Sequence, residues 1–497
     1  MQHRPYSSVK PLPPLLNLSQ FKACMTSLHG DKIPLVVPAY DLGRHVHQIL
    51  WLLRLNSDTL TSLDITQMNF RSLRAVRDIS RTISQLHRLR TLRLGAQWSS
   101  SHSRQAFDSF FFSCPSSIVD LHFACNIAES KFEYSLDPAL GDWDFDQGPL
   151  VFREAPLPRL KRIGIPTMPR DDLATVLRTV LEQCPLLEAL ELPNLGHLSD
   201  DTLFAIASIG ELCPCISELS FPEGCLTEHA MMILDALPSQ QLKNLCYRYY
   251  QDPDPTPLIA TWAQHSTTLR RIELSNCTRV GSVLIQAALT TCEALEVFHV
   301  SGRGGPERVC LLFPHAIERD WVCTKLRELE MVLWITRDGA SPDYILDQRK
   351  RTWSDENHRH WEALGKLYSQ IGSLTRLEIL DLRAVGQVDI PIDYDTDPAY
   401  FLPASETCFP GLLALEDPNK GNIGYLSKLE PLTKLREIRG SFVWMQKNVR
   451  GRIGEREVDW FAERLPALEV ATFEGKEYCA LLQSLQSRRP GLRFCQN

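Results

Sequence analysis

The sequence contains no run of about eighteen apolar residues, the length that a membrane-spanning helix requires, so we expect no transmembrane segment. Its N-terminus begins Met1-Gln2-His3-Arg4-Pro5 and lacks the continuous apolar core of a secretory signal. These two absences predict a cytoplasmic or nuclear protein that has no membrane partner.

An excess of basic residues is also missing. The chain has 53 Lys and Arg residues against 60 Asp and Glu residues, and its net charge is −7. It therefore has no overall positive field that would attract nucleic acid. Apolar residues make up 44% of the chain and charged residues 23%, the proportions of an ordinary folded protein. We expect a folded protein without a nucleic-acid partner.

Residue patterns that would support catalysis or metal binding are absent as well. The segment Cys213–Cys215 offers two thiols, but no second pair or histidine follows at zinc-ligand spacing. The segment Asp393–Asp397 starts like a calcium-binding loop, but Pro398 and Ala404 stand where that loop needs glycine and glutamate. No nucleophile, base and orienting acid can be grouped from the sequence. We therefore predict that the chain is not an enzyme and holds no metal ion or cofactor.

What the sequence does contain is a repeat, which is clearest in Cys184–Ser208. Its first half has the pattern Leu-x-x-Leu-x-Leu at Leu187, Leu190 and Leu192, and its second half has the 3.6-residue period of a helix. A unit of one short strand and one helix cannot bury its apolar side alone, so the copies must stack. Successive copies are 26 to 31 residues apart and begin at Leu160, Leu187, Ile216, Leu242, Leu269, Leu295 and Leu326.

These copies resemble the cysteine-containing leucine-rich repeats of the large fungal F-box/leucine-rich-repeat family. The shared features are Cys-Pro-x-Leu starts, as at Cys184, a cysteine such as Cys277 at the end of the strand pattern, and long irregular inserts. The resemblance implies an α/β leucine-rich-repeat solenoid, with a curved parallel sheet on the concave side and helices on the convex side. A small buried side chain suits the cysteine before each strand, and six residues occupy this position: Cys114, Cys184, Cys213, Cys292, Cys323 and Cys408.

The same resemblance implies a function. In this family an N-terminal F-box docks on the adaptor of an SCF-type cullin–RING ubiquitin ligase, and the repeats hold the substrate. The resemblance covers the repeats alone, because the segment Leu12–Leu16 lacks the acidic residue and the amphipathic helix with which an F-box begins. We expect a protein–protein interaction module that recognises substrates for such a ligase and has the F-box-binding adaptor as a partner. The alternative is a stand-alone leucine-rich-repeat scaffold with no link to ubiquitin.

The domain organisation follows from where the repeat starts and where it is interrupted. Residues 1–40 are rich in proline and predict an N-terminal segment with a partial cap, and residues 41–497 predict the solenoid. Inserts near residues 125–158, 334–371 and 384–410 break the period, and such inserts often bind partners. Aromatic side chains among acids suit contact surfaces, and the candidates are Trp143, Phe145 and Tyr394.

The positions between the leucines of each strand predict the main binding surface. Side chains alternate along a strand, so these positions point away from the core. In the repeats that begin at Leu187 to Leu377 they carry nine acids, which we call the acidic strip, relieved by Arg270, Arg271 and Arg327. The strip predicts a protein partner with a basic or mixed surface, and the alternative is that the acids only keep the surface soluble. Its members are Glu188, Glu191, Glu218, Glu273, Glu296, Glu328, Glu330, Glu378 and Asp381.

Overall fold

The structure, a computed structural model, contains two compact units, Met1–Pro166 and Thr167–Asn497. In both units strands and helices alternate along the chain. The residues that it describes are 35–36, 46–66, 73–95, 103–124, 155–193, 199–222, 225–250, 254–278, 280–302, 309–335, 355–386, 415, 425–440, 455–472 and 479–495.

The first unit is a sheet of parallel strands in which each described strand pairs with the next one along the chain. The pairing places Leu63 opposite Leu92, and Leu92 opposite Leu121, so that the same repeat position recurs across the sheet. The strands are β1 (Leu35–Val36), β2 (Ser62–Ile65), β3 (Thr91–Gly95), β4 (Asp120–Ala124) and β5 (Arg162–Gly164), and the helices are α1 (Val46–Leu55), α2 (Leu73–Ile83) and α3 (Ser103–Ser113).

The second unit continues the same pattern over more repeats. Its described strands are β6 (Ala189–Glu191), β7 (Glu218–Phe221), β8 (Asn244–Arg248), β9 (Arg271–Cys277), β10 (Val297–Gly302), β11 (Leu311–Leu312), β12 (Glu328–Ile335), β13 (Ile379–Gly386), β14 (Glu437–Gly440), β15 (Val470–Thr472) and β16 (Arg493–Cys495). Its described α-helices are α4 (Arg170–Gln183), α5 (Asp200–Ala207), α6 (Ile209–Leu212), α7 (Thr227–Asp235), α8 (Thr256–Gln264), α9 (Ser282–Thr291), α10 (Phe313–Glu318), α11 (Asp355–Ser373), α12 (Glu455–Arg464) and α13 (Cys479–Arg488), and a 3₁₀-helix spans Leu426–Leu429.

The strands of the second unit are parallel, and the connections between them are long enough to carry the chain back to the same end of the sheet. Parallel neighbours need a crossover of a dozen or more residues, and the helices of the repeats provide it. Strands β6 to β10 pair in chain order, as the repeat spacing predicts. The order continues through β12 to β16, while the short β11 pairs with β12 beside this path. The fold is therefore an α/β leucine-rich-repeat array, as predicted.

Alternating burial along the strands shows which positions hold the array together. In β9 the buried positions Ile272 and Leu274 alternate with the partly exposed positions Arg271, Glu273 and Ser275. Within each unit, leucine or another apolar residue at the buried positions of the described strands gives a core that neighbouring repeats share. Among the described residues, the predicted apolar positions of the strands are therefore confirmed as core positions.

The cysteines that precede the strands are structural, as predicted. Within the described part of the chain, Cys114, Cys184, Cys213, Cys292 and Cys323 are all buried, whereas Cys408 lies outside it. The Cys213 thiol donates to the carbonyl oxygens of Leu181 (3.4 Å) and Cys184 (3.3 Å), which links two repeats. Burial raises the pKa of Cys213 to about 12, and it has the same effect at Cys292 and Cys323. Protonated thiols of this kind are poor nucleophiles.

Parts of all three predicted inserts lie among the described residues, and the second insert is described most fully. In the second insert β12 extends to Ile335, and α11 covers its later part, where the sequence spaces Leu367 and Ile371 as on one face of a helix. Residues 125–154 and 387–410 lie outside the described part, and with them Trp143, Phe145 and Tyr394, so their contacts stay predictions. None of the described helices has the length and apolar character needed to cross a membrane.

Candidate partner-binding surface

The exposed side of the second unit's strands, which we call the sheet face, carries the acidic strip. Strand register places Glu273, His299 and Glu330 in one row across three adjacent strands. Eight of the nine acids are half-buried, because the backbone of each lies in the sheet while the carboxylate remains accessible. Asp381 differs from this expectation, since only 9% of it is exposed. The accessible acids are therefore the first eight members of the strip.

Arginines of the sheet face lie close to several of these acids. The guanidinium of Arg248 on β8 reaches across β7 to Glu191 on β6, with 3.7 Å between Nη1 and Oε1. Arg270 lies at the same distance from Glu296. The sheet face is thus a pattern of both signs with an acidic excess, and Arg248 adds to the three arginines that the sequence analysis identified.

A second row, which we call the charge row, runs along the residues that immediately precede the strands. The backbone amide of each member after the first donates to the carbonyl oxygen of the member before it, at 2.7 to 2.8 Å, so the ladder fixes the spacing. In the second unit the row starts with Glu188, Ser217 and Lys243. From Arg270 onward its side chains alternate in sign, through Glu296, Arg327, Glu378, Arg436 and Glu469.

Two pairs of the charge row are bidentate. Arg327 donates from Nε to Glu378 Oε1 (2.8 Å) and from Nη2 to Oε2 (3.2 Å). Arg436 binds Glu469 in the same way, at 3.2 and 3.0 Å. These hydrogen bonds lower the pKa of Glu378 and that of Glu469. Exposed pairs add little stability, but two parallel hydrogen bonds hold both side chains in one orientation.

His299 is the centre of the densest group of charges on the sheet face, and we call it with its neighbours the His299 cluster (Arg271, Glu273, His299, Glu328 and Glu330). Its Nδ1 lies 3.6 Å from Glu273 Oε1, and its Nε2 lies 3.2 Å from Glu328 Oε2. Arg271 Nε donates to the same Glu273 oxygen (3.0 Å). The close contact with His299, helped by Arg271 and opposed by burial, lowers the pKa of Glu273 to about 2.

The chemistry of this surface suits binding. Charged side chains on paired strands are held before a partner arrives, so little conformational freedom is lost when it binds. Within the described ranges, no group of three or more His, Cys, Asp or Glu side chains is arranged to hold a metal ion. The arrangement provides fixed hydrogen-bond acceptors and donors for a complementary protein surface.

Sequence reasoning found the acids of this surface and His299 in the same outward-facing row, and it missed two of the groups that contact or face the acids. These are Arg248 on the sheet face and Arg436 in the charge row. Arg248 follows the same strand alternation as the acids, so aligning every charged residue of the repeats would have found it. Its partner depends on side-chain reach, which alignment does not give.

Comparison with known proteins gives structural neighbours and no sequence relatives. No protein-family model matches the sequence, and no curated protein matches it either. The leucine-rich repeat-containing protein LegL7 from Legionella pneumophila is similar with a TM-score of 0.39 and 10% identity, over 71% of this chain and 91% of that chain. The yeast Rad7 and Elc1 complex is similar with a TM-score of 0.24 and 13% identity, over 65% of this chain and 83% of the matched chain. The fold assignment rests on the strand order, register and burial described above.

Proposed function

We propose that this chain is a protein-interaction module that binds its partner on the sheet face of the second unit. The observation that carries the proposal is the row of half-buried carboxylates, fixed on paired strands and exceeding the arginines beside them. A surface of this kind selects a partner with basic side chains and repels one with acids. The contribution of each exposed pair is small, so recognition arises from the set of charges rather than from one residue.

We further propose that the bound protein is a substrate for an SCF-type cullin–RING ubiquitin ligase. This part of the proposal is supported by the resemblance of the repeats to the F-box/leucine-rich-repeat family. The two parts are independent, because a binding surface works equally well in a stand-alone scaffold. A test of the ubiquitin link must therefore examine the adaptor and not the sheet face.

The full chain should bind the purified F-box-binding adaptor of such a ligase through residues before Asp41. In a pull-down, we expect the adaptor to be retained by the full chain and not by a chain that begins at Asp41. A variant with Glu191, Glu273 and Glu330 changed to lysine should retain the adaptor normally, because these residues lie on the sheet face and not in the segment before Asp41. No retention by the full chain would leave the stand-alone scaffold as the function.

Reversing Glu191, Glu273 and Glu330 to lysine should reduce the binding of substrate proteins by about tenfold at low ionic strength. The three residues are half-buried on separate strands, so the backbone ladder is unchanged. Quantitative mass spectrometry of proteins captured from cell extract measures the effect, and thermal unfolding checks the fold.

A matched variant controls for net charge in this capture experiment. Glu211, Glu293 and Glu463 are exposed residues in helices or just after them, and changing them to lysine alters the net charge by the same amount. This control should capture the same proteins as the parent chain. If the variant with Glu191, Glu273 and Glu330 reversed captures as much protein as this control, the acids of the sheet face only keep the surface soluble.

A further inference from the structure

A histidine on the sheet face is held between carboxylates of both neighbouring strands. His299 lies on β10, and its two ring nitrogens face Glu273 on β9 (3.6 Å) and Glu328 on β12 (3.2 Å). About a quarter of its side chain remains exposed, with 27% accessible. An imidazole in this position can exchange its proton with solvent while it contacts both acids.

The charged groups that face His299 come from both strands packed against β10. Strand β9 contributes Arg271 and Glu273, and β12 contributes Glu328 and Glu330. With a neutral imidazole, three carboxylates face one guanidinium, so the His299 cluster has two excess negative charges. Protonation of His299 removes one of them. One proton therefore halves the net charge at the centre of the sheet face.

We propose that His299 is a proton switch for partner binding, which weakens the association of a basic protein segment when it is protonated and strengthens it when it is neutral. The inference rests on the proposed function, because it concerns the same sheet face. A lysine or arginine of the partner and the proton on His299 compete for the same carboxylates. Binding of either one lowers the affinity for the other, by linkage.

The position of the switch on the pH scale follows from the contacts. The close contact with Glu273, with the charges of Glu330 and Glu328, raises the pKa of His299 above its ordinary value near 6.5, against the effect of burial. The protonated form is therefore populated at a higher pH than in a free histidine. As pH rises through this value the cluster becomes more negative, and affinity for a basic segment should rise with it.

The test uses the full chain and a fluorescein-labelled hepta-lysine peptide at low ionic strength, with binding measured by fluorescence anisotropy. Between about pH 5.5 and about pH 8.5, we expect the affinity of the parent chain to rise about twofold to fivefold. His299→Gln, which keeps a polar side chain but has no titrating group, should lose this rise. His122→Gln should keep this rise. His122 occupies the same strand position, but it lies in the first unit and is not a member of the His299 cluster.

A second measurement examines the switch without any ligand. In protein with ¹³C-labelled histidine, the NMR titration of the imidazole that disappears in His299→Gln should have a pKa above the ordinary value. Glu273→Gln should move that pKa downward, since it removes the carboxylate that raises it most. A role confined to packing would not couple the two residues in this way.

The outcomes separate the switch from the proposed function. A pH-independent affinity, or a His299→Gln variant with the pH dependence of the parent, would overturn the switch and leave protein binding intact. An NMR pKa that does not respond to Glu273→Gln would overturn it as well. No peptide binding at any pH would overturn both the switch and the acidic recognition on which it rests, while adaptor binding is judged by its own pull-down.

Discussion

Replacing Leu190 by alanine is expected to lower the free energy of unfolding of the second unit by about 2 to 5 kcal/mol. Leu190 is 1% exposed and occupies the buried position of β6, directly opposite Leu219 on β7. Alanine removes three carbons from this site and leaves a cavity that the paired strands cannot close, since the backbone hydrogen bonds hold them in register. Chemical denaturation monitored by circular dichroism measures the loss.

The chain offers a matched control four residues earlier. Leu186 has the same side chain but is 51% exposed, so Leu186→Ala should change the free energy of unfolding by less than about 0.5 kcal/mol. In an array of repeats each unit contacts mainly its neighbours, so the damage in Leu190→Ala should appear first as faster hydrogen exchange in β6 and β7. Equal stability of the two variants, or uniform exchange across the unit, would contradict the interpretation of Leu190 as a local core residue.

The strands and their order were predictable because the spacing of apolar residues determines both. A side chain must be buried at the first, fourth and sixth positions of each pattern, and Leu187, Leu190 and Leu192 satisfy this. The helix α11 was predictable for the same reason, since Leu367 and Ile371 fall on one buried face. Periodicity is a local property, and it survives even where an insert interrupts the repeat.

The partners of the charged residues were not predictable. Arg248 contacts Glu191 two strands away rather than an acid on a neighbouring strand, and this depends on the length and path of one side chain. The repeat pattern specifies which positions point outward, but it does not specify rotamers. The acidic strip therefore looked more uniform in the sequence than the mixed sheet face is.

The burial of one histidine, and the hydrogen bonds that it accepts, were likewise not predictable from the repeat pattern. His265 precedes the repeat that begins at Leu269, at a position where several other repeats have a cysteine, and its ring is fully buried. Its Nδ1 accepts hydrogen bonds from the backbone amides of Gln241 and Leu242, both at 3.3 Å. Burial lowers the pKa of His265 and keeps the ring neutral, which this acceptor role requires. An isolated histidine in the sequence gives no indication that two backbone amides meet it.

Replacing Gly372 by alanine is expected to destabilise the second unit. At an exposed position inside a helix, the same change stabilises the helix by about 1 kcal/mol. Gly372 lies near the end of α11, and a Cβ atom there would come well within 3.0 Å of the carbonyl oxygen of Lys428 and 3.2 Å from its carbonyl carbon. The obstacle is backbone of the 3₁₀-helix Leu426–Leu429, which cannot rotate away as a side chain can.

The expected loss for Gly372→Ala is about 1 to 3 kcal/mol, the usual cost of overpacking, and denaturant unfolding measures it. Gly365 provides a control in the same helix, since the nearest atoms to its added Cβ are in side chains, the ring of Tyr425 at 3.2 Å and Cε of Lys428 at 3.9 Å. Gly281, with nothing within 4 Å, provides a second control. Stability should therefore fall in the order Gly281→Ala, Gly365→Ala, Gly372→Ala. A Gly372→Ala variant as stable as Gly281→Ala would mean that the 3₁₀-helix moves aside freely, and that α11 is not locked against the repeat that follows it.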